Sequence, residues 1–232
     1  MEAIVLAGGF GTRLSHIVKD VPKPMADVAG RPFLEYILDD LIQQGITRIV
    51  LAVHYKKECI MSHFNDSYKG AEIIYSIENT PLLTGGAIKK ACQFCSESSV
   101  WIINGDTFFQ VDLKKMKAFA EEKQVPVSIA IKRMHHFSRY GRVEVSSTGI
   151  VNSFLEKTPC EDGYINGGIY YLQKDMLDEY PAIFSLENDC FPDIQPQNKI
   201  AAYYSDGYFI DIGVPEDYYR AQEYFKEVNN AT

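Results

Sequence analysis

Short apolar runs that recur between helical stretches constrain this chain more than any other feature. Glu2-Ala3-Ile4-Val5-Leu6, residues 47–53, 72–77, 100–104 and 126–131 are apolar on both faces, as strands are when a sheet is covered on both sides. Between them lie helical patterns. Residues 32–42 carry apolar side chains at helical spacing and stop at Gly45, and residues 56–64 and 86–95 repeat the pattern. Asp112 stands as N-cap of a further helix over 112–123. The alternation predicts βαβ units, hence an α/β, Rossmann-like fold with a mostly parallel mixed sheet and helices on both faces.

The second half changes character. Residues 141–145 and 149–156 read as a hairpin around Ser146-Ser147-Thr148-Gly149, and 164–172 as another strand. Helical material follows Lys174, late strands fall at 200–204 and 208–211, and a terminal helix runs over 215–228 with Pro215 in its first turn. No linker, repeat or low-complexity segment divides residues 1–232, which read as a single domain.

Composition narrows the partners. A net charge of −8 argues against a nucleic-acid partner, which calls for a basic face. No apolar run approaches the ~20 residues that span a bilayer, so no membrane partner is expected. The N-terminus enters a strand at once, so no signal peptide is expected. Five cysteines without a secretory signal then indicate reduced thiols in the cytoplasm. Cys92-Gln93-Phe94-Cys95 is formally a C-x-x-C, but no second pair or histidine spacing completes a zinc site, and the helix-N-terminal context of a redox pair is missing. His135 and His136 have neither triad partner nor metal spacing, and no G-x-S-x-G occurs.

Directly after the first strand comes Leu6-Ala7-Gly8-Gly9-Phe10-Gly11-Thr12-Arg13-Leu14, followed by Pro22-Lys23-Pro24-Met25. Glycines here let backbone N–H groups approach an anion, and Arg13 and Lys23 can neutralise phosphate oxygens. The two prolines hold Lys23 in a defined place. The G-x-x-x-x-G-K-[ST] loop is absent, and the dinucleotide fingerprint fails because leucine stands where its third glycine belongs. Asn104-Gly105-Asp106 ends one strand and Phe209-Ile210-Asp211 another, where open α/β sheets bind ligands. Two aspartates from distant parts of the chain make a sensible Mg²⁺ site, since Mg²⁺ takes a few carboxylate oxygens, keeps waters and binds substrate phosphates.

The glycine-rich run with Pro22-Lys23-Pro24-Met25 resembles the signature of the sugar-1-phosphate nucleotidyltransferases, and the resemblance covers nearly the whole chain. Through Ala3 to Leu6, Pro32 to Tyr36, Thr84 to Ala87 and Asn104 to Phe109 it is most similar to the bacterial D-glycero-α-D-manno-heptose 1-phosphate guanylyltransferases. The resemblance implies a first half that holds the nucleotide and a second half that completes a sugar-phosphate pocket. Its substrates would be GTP and a sugar 1-phosphate, its cofactor Mg²⁺ on Asp106 and Asp211, and a homo-oligomer is one state it leaves open. Leu6, Ala7, Gly8, Gly9, Gly11, Thr12, Arg13, Glu78, Gly85 and Gly86 would bind the nucleotide, with Gly85 and Gly86 passing close to base or ribose. Lys23, Glu156, Lys157, Asn166 and Gly167 would bind the sugar phosphate, and Arg13, Lys23 and Asp106 would be catalytic.

By themselves Glu156-Lys157 would be a solvated pair at a strand end, and the glycines of Asn166-Gly167-Gly168 a structural bulge. Leu83 stands where the family usually has glycine, and residues 15–21 lack the Pro-x-Thr common among hexose-1-phosphate members. The missing C-terminal extension leaves no fused hexapeptide-repeat domain expected. Mannose 1-phosphate or another hexose 1-phosphate with a different nucleotide remains open. So does a non-catalytic NDP-sugar-binding subunit, against which Arg13, Lys23, Asp106 and Asp211 together speak. A glycosyltransferase would show Asp-x-Asp, and a dehydrogenase the third glycine.

Overall fold

The computed structural model of the chain describes residues 1–14 and 16–231, with Thr12 and Ala231 described by their backbone alone. The chain begins with β1 (Glu2–Leu6), a small hairpin of β2 (Asp27–Val28) and β3 (Arg31–Pro32), and helix α1 (Phe33–Gln43). There follow β4 (Arg48–Val53), α2 (Lys57–Phe64), β5 (Ser67–Tyr68), β6 (Ala71–Ile77), α3 (Leu83–Ala91), β7 (Ser99–Asn104), β8 (Thr107–Phe109) and α4 (Leu113–Lys123). The second half supplies β9 (Val127–Phe137), β10 (Gly141–Val145), β11 (Val151–Lys157), β12 (Cys160–Gln173), α5 (Phe191–Ile194), β13 (Ile200–Tyr204), β14 (Phe209–Asp211) and α6 (Pro215–Ala231).

The expected mixed sheet is present. β7, β1, β4 and β6 run parallel side by side at its centre. Their side chains alternate between two apolar layers, as the pleat requires. Ala3, Val5, Ile49, Leu51, Val53, Trp101 and Ile103 face one layer with Phe33, Leu34 and Leu38 of α1 and Phe225 of α6. Ile4, Val50, Ala52, Val100 and Ile102 face the other with Ala87, Ile88 and Ala91 of α3 and with Phe184, Leu186 and Phe191. Every one of these positions is buried, so a polar residue at any of them would lose its water without a partner.

The helix signals act as expected: Gly45 follows α1 at φ +90°, and Asp112 Oδ1 accepts the Lys115 N–H at 3.0 Å to cap α4. Helix α3 starts at Leu83, three residues before the sequence predicts, and ends in a 3₁₀ turn over Cys92–Phe94. Among the described residues no helix is long and apolar enough to cross a membrane.

The antiparallel strands of the second half do more than extend the sheet. Near its C-terminal end β12 pairs with β7 (Ile169 opposite Ile103), while its earlier residues pair along the same edge with β10 (Ile165 opposite Arg142). Between the two, the register with β9 shifts across Asn166 to Tyr170, and Gly168 takes φ +74°. One fourteen-residue strand therefore bends away from the parallel sheet and carries the β10–β11 hairpin with it. A second pairing, absent from the sequence prediction, joins β8 to β14 with Asp211 opposite Thr107. That register sets Asp211 beside Asp106.

Candidate functional site

The C-terminal ends of the parallel strands open on a cavity of about 470 Å³. Leu6, Gly8, Gly9, Phe10, Gly11, Arg13, Lys23, Glu78 and Asp106 line it, together with His54, Pro81, Leu83, Thr84 and Asn104. Sterics explain two of the glycines. A Cβ at Gly11, already at φ +59°, would meet Lys23 Cβ at 2.8 Å, and one at Gly8 would press Glu78 Oε1 at 3.2 Å. Gly105 lets Asp106 leave β7 tightly, since a Cβ there would stand 2.6 Å from the Leu6 carbonyl oxygen.

A second cavity of about 580 Å³ lies under the β10–β11 hairpin. Arg139, Tyr140, Glu156, Lys157, Asn166, Gly168, Tyr170, Glu187 and Asp211 line it, and Arg13 and Asn104 line both cavities. At the seam, Lys23 Nζ lies 2.7 Å from Asp106 Oδ2 and 3.5 Å from Asp211 Oδ1. Lys23 is buried, and Asp211 is mostly so. Burial pushes the Asp211 carboxyl above its ordinary range, and the charge of Asp106 pushes it further, against the pull of Lys23. Among the described residues, none donates a hydrogen bond to the buried Oδ1 of Asp211. Two carboxylates sharing one ammonium, with an acceptor left over, fit a hard dication that binds oxygen. Among the described residues no third His, Cys, Asp or Glu joins them, so water or ligand oxygens would fill the remaining positions.

The sequence profile of the family described as nucleotidyl transferase matches residues 2–228. The chain belongs to that family. This nucleotidyl transferase is 46% identical over 223 residues to D-glycero-alpha-D-manno-heptose 1-phosphate guanylyltransferase of Campylobacter jejuni subsp. jejuni, covering 94% of this chain and 97% of the relative. It is 44% identical over 225 residues to the protein of the same name from Aneurinibacillus thermoaerophilus, covering 96% and 97%. The crystal structure of HddC from Yersinia pseudotuberculosis complexed with GMP-PN is similar with a TM-score of 0.86 and 38% identity, over 97% of this chain and 99% of that one.

Most of the residues singled out from the sequence of this nucleotidyl transferase meet in the two cavities, and four do not. Ala7 is fully buried behind the loop, its N–H donating to the Ala52 carbonyl at 2.8 Å. Gly85 and Gly86 do not line the first cavity. A Cβ on either would fall 2.3 Å from the Phe184 ring or from the Ala182 carbonyl oxygen, so both are glycine because the 182–184 segment crosses α3 there. Gly167 packs against the Phe109 ring at 2.4 Å from where its Cβ would be, and Gly168 is the residue on the cavity wall, against the Asn104 side chain. The side chain of Thr12 lies outside the described residues.

The sequence reading missed residues as well. Arg139 reaches the second cavity from the loop after β9 and is paired with Asp217 of α6, whose other oxygen accepts from Arg220 at 3.0 Å. Asp217 is 3% exposed, a buried acid that fixes a cavity-lining arginine from 78 residues away. Only the density of cations in Arg139-Tyr140-Gly141-Arg142 could have marked it. Leu83 keeps the left-handed conformation, φ +62°, that favours the glycine usual at that position, and its side chain is 54% exposed at the first cavity's rim. The cysteines are free, and burial raises the thiols of Cys92 to about 12 and Cys95 to about 11, so neither is a ready thiolate.

Proposed function

We propose that the chain transfers the guanylyl group of GTP to D-glycero-α-D-manno-heptose 1-phosphate, forming GDP-heptose and pyrophosphate for surface-glycan synthesis. The observation that carries this reading is the meeting of two cavities at Lys23, Asp106 and Asp211. The glycine-rich wall of the first suits a nucleoside triphosphate. The second, lined by Glu156, Lys157, Asn166 and Glu187 with Arg13, Arg139 and Arg142, suits a polyhydroxylated anion. The near-full-length likeness to two proteins named for this activity selects the pair of substrates.

An oxygen of the sugar phosphate attacks the α-phosphorus in line, and the bond from that phosphorus to the oxygen of the leaving pyrophosphate breaks. Such transfers need positioning and charge stabilisation more than covalent help. Arg13, on the wall of both cavities, holds the β- and γ-phosphates. Lys23 turns from its carboxylates to the α-phosphate and the incoming phosphate, neutralising charge that would keep two anions apart. Asp106 and Asp211 would hold Mg²⁺, which when bound offsets the charge developing on the phosphate oxygens. Glu156 and Lys157 orient the sugar and its phosphate.

Pyrophosphate release with Mg²⁺, across the common nucleoside triphosphates paired with the heptose, mannose and glucose 1-phosphates, tests the proposal. Turnover confined to GTP and the heptose phosphate is expected. Preference for another pair would replace the substrates, and nucleotide binding without turnover on any pair would contradict catalysis.

A further inference from the structure

The mechanism leaves unused a carboxylate of the second cavity that is hydrogen-bonded to a residue of the first. Glu187 sits in a π-turn over Leu186–Cys190, half-buried, on the wall of the second cavity. Its Oε2 accepts the hydroxyl of Thr84 at 2.5 Å. Thr84 belongs to α3 and lines the first cavity. The Leu186 N–H donates to Thr84 Oγ1 at 2.9 Å, which leaves the threonine proton directed at Glu187. On the other side Tyr170 donates to Glu187 Oε1 at 3.3 Å and receives Asn166 Nδ2 at 3.0 Å. Burial, with the charge of Glu187 next, drives the Tyr170 hydroxyl well above its ordinary value, so it remains a donor.

The Thr84 and Tyr170 hydroxyls both donate to the carboxylate, each held in that direction by an N–H that donates to its own oxygen. A charged carboxylate has about four acceptor positions. Oε2 is engaged by Thr84 and by the Ser185 hydroxyl at 3.3 Å, whereas among the described residues Oε1 has one long bond, from Tyr170, and Glu187 lines the second cavity. We infer that Glu187 accepts a hydroxyl of the sugar through Oε1, and that Thr84, a residue of the nucleotide cavity, is the positioning residue that aims it. The inference rests on the proposed assignment of the two cavities.

Glutamine at this position would set an NH₂ against donors, and valine in place of Thr84 keeps the shape while removing the proton that aims Oε2. Steady-state kinetics with GTP and the heptose phosphate on Glu187→Gln, Thr84→Val and Thr84→Ser provide the test, with GTP binding by calorimetry reporting the folded site. Glu187→Gln raises the sugar-phosphate KM about tenfold and leaves the GTP KM within about twofold. Thr84→Val moves the same sugar constant by about threefold although Thr84 borders the nucleotide, and Thr84→Ser restores it. Equal rises in both KM values, a rise in the GTP KM alone, or no change would each overturn the inference. The wild type run alongside separates two failures: a wild type silent on this substrate pair contradicts the proposed activity, whereas a normal wild type with an unsplit Glu187→Gln overturns the role of Glu187 alone.

Discussion

The two cavities are built by opposite means. The first is made mostly from residues at or just after the ends of the parallel strands: Leu6 and Gly8 to Gly11 after β1, His54 after β4, Glu78 after β6, and Asn104 and Asp106 at the end of β7. The second collects residues from elements far apart in the chain: Arg139 from the loop before β10, Glu156 from β11, Asn166 from β12, Glu187 from a π-turn and Asp211 from β14. Parallel βαβ units place their ligand residues in short local motifs at one edge of the sheet. Antiparallel strands place theirs by register and bulge, which are long-range properties. The seam, Lys23 between Asp106 and Asp211, draws on both kinds.

Removing the seam has the largest expected effect. Asp106→Asn lowers kcat by roughly 10³-fold with the fold intact, as loss of a group that stabilises transferring charge does. Asp211→Asn does the same to turnover yet raises the melting temperature, by about 1 kcal/mol of stability, because it deletes a buried charge held near a like charge. Circular dichroism melts beside pyrophosphate release check both. A fall in stability on Asp211→Asn would mean that the pairing with Lys23 outweighs burial.

Glycines distinguish the halves next. Gly85→Ala costs about 3 kcal/mol by driving a methyl into Phe184, with nucleotide affinity reduced only as the fold is. Gly168→Ala costs about 2 kcal/mol, since its φ is positive and its Cβ would meet Asn104 Nδ2 at 2.7 Å, and it raises the sugar-phosphate KM ahead of the GTP KM. Denaturant melts with both KM values measure the contrast. A Gly85→Ala protein of full stability that binds nucleotide poorly would return Gly85 to the nucleotide site.

These glycines also show what the sequence could and could not reveal. Gly8 and Gly11 were legible because their loop follows a recognisable strand, and Asp106 because it ends one. Gly85, Gly86 and Gly167 looked like ligand glycines, but each accommodates a residue that crosses it from elsewhere: Phe184, Ala182 or Phe109. No local pattern announces such a crossing. The central strands were legible for the same reason that the first cavity was, since apolar runs report burial on both faces. The β8–β14 pairing was not, being short and joining residues about a hundred apart. Arg139 and Glu187 carry ordinary surface chemistry in sequence and gain meaning only from Asp217 and Thr84.

The opposite end of the parallel half offers a smaller test. Buried Glu2 accepts the Ser96 N–H, the Ser96 hydroxyl and the Glu97 N–H at 2.7 to 3.1 Å, with Arg48 at 3.5 Å. Burial opposes its charge, but these hydrogen bonds outweigh burial and hold the carboxyl below its ordinary value of 4.5. The stabilisation is therefore complete above that value and is lost as pH falls through the lower, folded one. Glu2→Gln costs about 1.5 kcal/mol at neutral pH, and the difference from wild type shrinks below pH ~4. A difference independent of pH would locate the effect in packing. Smallest of all, Leu83→Gly relieves the left-handed strain and stabilises by up to about 1 kcal/mol, read as a rise in melting temperature, because the exposed side chain contributes little burial.

The fate of labelled GTP tests the seam most directly. With α-labelled GTP, heptose 1-phosphate and Mg²⁺, the label is predicted to appear in the sugar nucleotide, while γ-label appears in pyrophosphate, and Asp106→Asn loses both products while still binding GTP. Label in free phosphate, or an Asp106→Asn protein that turns over like the wild type, would contradict transfer at the junction of the two cavities.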